Sequence, residues 1–231
     1  MNSAEKEKII NANYSKWINI AYYLSILTIL YNAGQGIFSV WFGYTERTLA
    51  LFGFGINSFV EVISGLGIFH MIIRMRQTPD IHMRDKFEDQ ALRITGYSFY
   101  LLAAWLIVGS GLMFYKGVQP RTTIAGIIIS GISIATMYTL YKAKVKTGKM
   151  LNSVPILADA ERTKTCYYIS FVLLGASLAY ELAMVPYIDA AGSLGIAWFA
   201  YNEGKESFEK IRNKSFSCEE ENEQIIKPDS K

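Results

Sequence analysis

The 231-residue sequence predicts an all-α fold, a polytopic membrane protein of six transmembrane helices. Three observations predict it. Apolar residues, 51% of the chain, gather in long blocks separated by short charged links. Most of these blocks reach the roughly 20 residues that a helix needs to cross a bilayer. Lysine and arginine concentrate in alternate links, which assigns a direction to each block.

The blocks follow in order. Residues 1–16 are polar and of mixed charge, and no cleavable signal peptide is evident. Residues 17–44 carry no charge; Tyr22, Tyr23 and Trp41 suit the membrane interfaces, and Asn32-Ala-Gly-Gln35-Gly reads as a packing notch. After TERT comes the second block, residues 51–71, LFGFGINSFVEVISGLGIFHM. The hydrophilic link after Arg74 and Arg76 holds Asp80 and His82, which read as exposed loop residues; His70 reads as interfacial. Residues 94–114 form the third block. Lys116 to Arg121 make a tight link to the fourth, residues 122–141, whose Gly126, Ser130, Gly131 and Ser133 read as close helix packing. A basic loop with Lys142, Lys144, Lys146 and Lys149 follows, and Asn152-Ser-Val-Pro155 reads as a helix start. The fifth helix, residues 155–182, is charged in its first half, ILADAERTKTC. The sixth block covers residues 189–201, with Asp189 as its N-cap. The transmembrane domain is assigned to residues 17–209 and a short polar tail, fraying beyond Asn213, to residues 210–231.

The second block holds the chemistry. Asn57 and Glu61 lie four residues apart, on one helix face, in the middle of an apolar span. A carboxylate at that depth costs about 2.5 kcal/mol or more. A partner cation, a metal, a proton or a water-filled cavity must offset that cost. The fifth helix repeats the spacing with Arg162 and Cys166, one turn beyond Asp159. In the assigned topology these two helices run in opposite directions, so the pairs lie at similar depth and together make a four-residue cage.

These segments carry a resemblance. FGINSFVEVISG resembles the second helix, ADAERTKTC the fifth, and PYIDAAGSLGIAWFAYNEGKES the sixth helix of the cation diffusion facilitator transmembrane domain. EDQALRITGYSFYLLAAWL and Cys166 resemble a compact branch of that family without the C-terminal cytoplasmic domain, similar to zinc-binding synaptic vesicle proteins. The resemblance implies a divalent-metal/proton antiporter that works as a homodimer, with a site at Asn57, Glu61, Arg162 and Cys166. Asn57 keeps a carbonyl oxygen without the charge, as in the family's manganese branch. Arg162 departs from the pattern, because a guanidinium has no lone pair to give a metal. Two arrangements follow: Arg162 pairs with Glu61 as an internal cation, or Arg162 reaches towards the cytoplasm and Asp159 or Glu161 supplies a ligand.

Two functions follow from different classes. The first is a transporter of a divalent cation such as Zn2+, with metal ligands Glu61, Cys166, Asn57 and Asp159. The second is a membrane scaffold or regulatory subunit with a Glu61–Arg162 pair. The chain does not read as an enzyme: it has no nucleophile–base pair, no phosphate-binding glycine loop and no metalloprotease helix motif. No resident cofactor and no nucleic-acid partner are predicted; the expected surroundings are the lipid bilayer of the plasma membrane, with both termini cytoplasmic. A cysteine introduced at Thr45 or Gln119, in a background lacking Cys166 and Cys218, should react with an impermeant thiol reagent from outside the cell. Labelling of either position only from the cytoplasm would reverse this topology.

Overall fold

The computed structural model describes residues 3–77, 86–117, 119–184 and 187–226, with side chains described among these from 14 to 212 except at 88 and 154. Among these residues there are six helices and no strand: α1 (Ser3–Glu46), α2 (Leu49–Gln77), α3 (Lys86–Lys116), α4 (Ile124–Met150), α5 (Val154–Ala183) and α6 (Ile188–Ile226). By length and composition α2, α3, α4 and α5 are apolar enough to cross a membrane. In α1 the apolar run is diluted by Ser25, Thr28, Asn32, Gln35 and Ser39, and in α6 by a charged second half. Asp80 and His82 lie outside the described residues.

Several elements run further than their apolar blocks. The basic loop expected after residue 141 is the last two turns of α4, which ends at Met150. Asn152, in the left-handed region, turns the chain there, and the Ser153 amide donates to the Gly148 carbonyl. Pro155 sits in the first turn of α5. α6 continues to Ile226, beyond the expected fraying point at Asn213, because no glycine or proline interrupts the chain between Gly204 and Pro228.

The exterior is apolar and the interior is polar in patches. Leu30, Trp41, Leu101, Val108, Ile128, Leu182 and Trp198 are exposed around the bundle, where lipid solvates them. Buried positions include Ser58, Ser130, Ser133, Ser170 and Ser193, small groups that let backbones approach and that bond within the bundle. The α1–α2 seam brings backbone against backbone. A methyl group on Gly43 would lie 2.5 Å from the Phe52 amide, and one on Gly55 would lie 2.7 Å from the Val40 amide. The α4–α5 seam uses Gly126 against Ser177 and a Ser133–Ser170 hydrogen bond of 2.9 Å. Gly131, expected to pack closely against another helix, faces open space.

α2 is the central helix, packed against α1, α3, α5 and α6. Successive helices alternate in direction, so α2 and α6 both start at the end that holds the α1–α2 link. At that end Phe54, Phe99, Leu106, Leu173 and Ile196 form one apolar core. At the other end Ile18, Met71, Ile72 and Ile156 form a second. The polar residues of the site lie between these two layers.

Asp189 does not cap its own helix. α6 begins at Ile188, and the Asp189 carboxylate accepts hydrogen bonds from the Leu49 amide at 2.7 Å and the Ala50 amide at 3.3 Å. It therefore caps α2, whose first-turn amides have no partner within their own helix. The parallel, adjacent N-termini of α2 and α6 make this reach possible. Asp189→Ala should cost about 1–2 kcal/mol of stability, and Asp189→Asn less, because one acceptor oxygen remains. Thermal unfolding of the detergent-solubilised protein reads both.

Candidate metal centre

Glu61 and Cys166 meet in the middle of the bundle. Glu61 projects from α2 at the level between the two apolar cores, and antiparallel α5 brings Cys166 to the same depth. The Cys166 thiol donates to Glu61 Oε1. Asn57, one turn before Glu61, directs Nδ2 to Glu61 Oε1 at 3.4 Å and to Cys166 Sγ at 3.7 Å. A fourth residue comes from α1: Asn32 Nδ2 donates to Glu61 Oε2 at 3.1 Å. Glu61 is 8% exposed, Asn32 and Cys166 are 1% exposed, and Asn57 is fully buried.

Asn32 is the residue that the sequence reading missed. Its segment, Asn32-Ala-Gly-Gln35-Gly, was expected to be a packing notch. It is one, through Gly36 against Gly55 and Phe59. The same close approach carries Asn32 to Glu61 and Gln35 Nε2 to Ser58 Oγ, at 2.9 Å. The available signal was two carboxamides three residues apart in an otherwise apolar helix.

Arg162 is not the counterion of Glu61. Its Nε lies 3.1 Å from Glu203 Oε2 and its Nη2 donates to Ser207 Oγ at 3.1 Å. α6 thus supplies the partner, from Glu203 and Ser207, four residues apart and both buried. The expected Glu61–Arg162 pair is absent because the guanidinium, one turn before Cys166, points across the α5–α6 seam. Asp159 is also engaged elsewhere. Its carboxylate binds Lys144 Nζ at 2.7 Å, and the same ammonium donates to Thr163 Oγ1 at 2.9 Å. Lys144 is buried in the α4–α5 seam. Glu161 is exposed and pairs with Lys164, so it turns away from the site. His70 is half-buried against Phe87, with 4.7 Å between ring centroids.

Below the centre lies a cavity of about 180 Å³, lined by Ser64, Gly67 and Ile68 of α2, Ala158, Asp159 and Arg162 of α5, and Lys210 of α6 among others. Ser64 is one turn from Glu61, and Arg162 one turn from Cys166. The cavity therefore adjoins the site on the side where α1 begins. Among the described residues no three His, Cys, Asp or Glu side chains gather at one point. Glu61 and Cys166 are the two of these types that meet here, and the amides of Asn32 and Asn57 stand beside them.

The Arg162–Glu203 pair is testable on its own. Arg162→Ala leaves a carboxylate buried without its cation, which costs about 3–5 kcal/mol. Replacing both partners together, Arg162→Met with Glu203→Leu, should recover most of that loss. Thermal unfolding of the single and double variants measures the difference.

The cation efflux transmembrane domain model matches residues 25–210, which takes in the helices that form the site. No curated protein matches the chain. The match covers well over half of the sequence, from within α1 to the middle of α6. The chain belongs to the cation efflux family of metal-cation transporters.

Proposed function

We propose that this protein carries a zinc-like divalent cation across the plasma membrane through the Glu61–Cys166 centre, in exchange for protons. The observation that supports this most directly is the contact between a buried carboxylate and a buried thiol on facing helices. A thiolate paired with a carboxylate favours zinc or cadmium over magnesium or calcium. The thiol holds its proton against Glu61. When the ion binds, Cys166 becomes a thiolate, its proton leaves, and sulfur and carboxylate oxygen both face the metal. Each ion thereby displaces at least one proton, which is the chemical basis of exchange.

The cavity on the α1-start side offers the ion an approach between α2 and α5, past Asp159. The positive-charge pattern supports a cytoplasmic opening there, with both termini inside. The family resemblance supports a homodimer. The scaffold reading depended on a Glu61–Arg162 pair, and Arg162 is bound to Glu203 instead.

Isothermal titration of the purified protein with zinc, cadmium and manganese tests the reading. Glu61→Ala and Cys166→Ala should each weaken zinc binding at least tenfold, since each removes an anionic ligand. Wild-type protein that binds none of the three ions would overturn it.

A further inference from the structure

We propose that Asn32 of α1 is a ligand of the metal centre, which turns its side-chain amide over to present Oδ1 when the cation arrives; the inference rests on the metal-binding reading of Glu61 and Cys166. Two observations carry it. The first is the orphaned oxygen. Asn32 and Asn57 both aim Nδ2 at Glu61, and both Oδ1 atoms are buried without a hydrogen-bond partner. Buried carbonyl oxygens are rarely left unsatisfied, and such an exception calls for an explanation. Without a cation the carboxylate recruits every nearby donor, so the amides expose their N–H side to it. A cation bound to Glu61 reverses the local field. The oxygen of a carboxamide then becomes the favoured end, and the two ends of the group occupy almost the same space.

The second is the spacing. Asn32 Nδ2 stands 3.1 Å from Glu61 Oε2. With an amide oxygen in that place, an ion at a zinc–oxygen distance of about 2.1 Å from both atoms subtends an angle of about 95°. The 3.4 Å separation between Asn57 and Glu61 Oε1 gives about 108° on the same basis. The first angle runs to Oε2 and the second to Oε1, so an ion in both places is held by the two oxygens of Glu61 and one from each amide, and Cys166, 3.7 Å from the Asn57 amide, adds a sulfur. The proton shared by Cys166 and Glu61 is what the ion replaces, so their contact opens as it enters. With Glu61 and Cys166 both anionic, the set balances a dication without a third acid, and Arg162 and Lys144 stay with Glu203 and Asp159.

The alternative role for Asn32 is positioning: it would steady Glu61 by donating a hydrogen bond and never touch the ion. Asn32→Asp separates the two. An aspartate keeps the ligand oxygen and adds charge, but it has lost the amide donor. In a Cys218→Ser background, cadmium titration is followed by the ultraviolet cadmium–thiolate band, which reports Cys166, and zinc titration by calorimetry. Asn32→Ala should lower the affinity for both ions at least tenfold while the band still develops at saturation. Asn32→Asp should bind at least as tightly as the parent, and zinc or cadmium should raise its thermal stability more than the parent's. If Asn32→Asp is as weak as Asn32→Ala, or if no metal stabilises it, Asn32 is not a ligand. Parent-like affinity in Asn32→Ala overturns the proposal while leaving Glu61 and Cys166 in place. A parent without a cadmium–thiolate band overturns the metal reading and this proposal with it.

Discussion

A carboxylate in the middle of a membrane bundle is the constraint around which the other helices are arranged. Glu61 alone costs about 2.5–3.5 kcal/mol at the centre of a bilayer-spanning helix. The bundle meets that cost with donors and not with a cation. Asn32, Asn57 and Cys166 all direct hydrogens to it, from three helices. Supplying three donors from three helices requires close approach, and this explains the glycines. Gly36, Gly43 and Gly55 bring α1 against α2 at a distance that a β-carbon would block. The polar centre and the small-residue seam are therefore one device: neither is affordable in hydrocarbon without the other.

The remaining intramembrane charges follow a different rule. Arg162 with Glu203, and Lys144 with Asp159, are buried ion pairs that cross the α5–α6 and α4–α5 seams. Buried pairs of this kind are weak evidence for stability, because desolvation offsets much of the attraction. Their effect lies in register. A buried guanidinium accepts few positions, and Arg162 fixes α5 against α6 at one rotation and one height. They also leave Glu61, like Asp189, as a buried carboxylate whose hydrogen-bond partners carry no charge. An arginine one turn from Cys166 would repel a metal there if it were free. Bound to Glu203 and Ser207, its charge is compensated where it stands.

The helices were legible in the sequence because hydrophobic blocks and charged links are one-dimensional signals. So were Asn57 and Glu61, since a four-residue spacing fixes a shared face without further information. The partners across seams were not legible in the same way. Glu203 lay just past the sixth apolar block, and only the packing of α6 beside α2 and α5 turns it inward. Asp189 sits at a helix start in either account, but the choice of which helix it caps depends on two N-termini being neighbours in space. Lys144 belonged to a run of four lysines, in which nothing marked one as buried. In each case a polar residue was placed correctly along the chain, and its partner was set by a rotation about the helix axis that hydropathy does not encode.

The two seams that meet at Glu61 differ in what holds them. Between α1 and α2 the contact is backbone against backbone, with glycines that leave no slack. Asn32 and Glu61 are thus carried on elements that move together if they move at all. Between α2 and α5 the contact at this depth is made by the donor atoms themselves, and the cavity beside Ser64 and Arg162 lies along it. Separating α1 from α2 would expose packed backbone, whereas parting α2 from α5 at this depth breaks only side-chain hydrogen bonds. On the function proposed above, a site that holds an ion and then releases it is served by one wall of each kind. The glycine-seamed pair α1 and α2 is the firmer wall, and the α2–α5 contact, with its thiol, is the other.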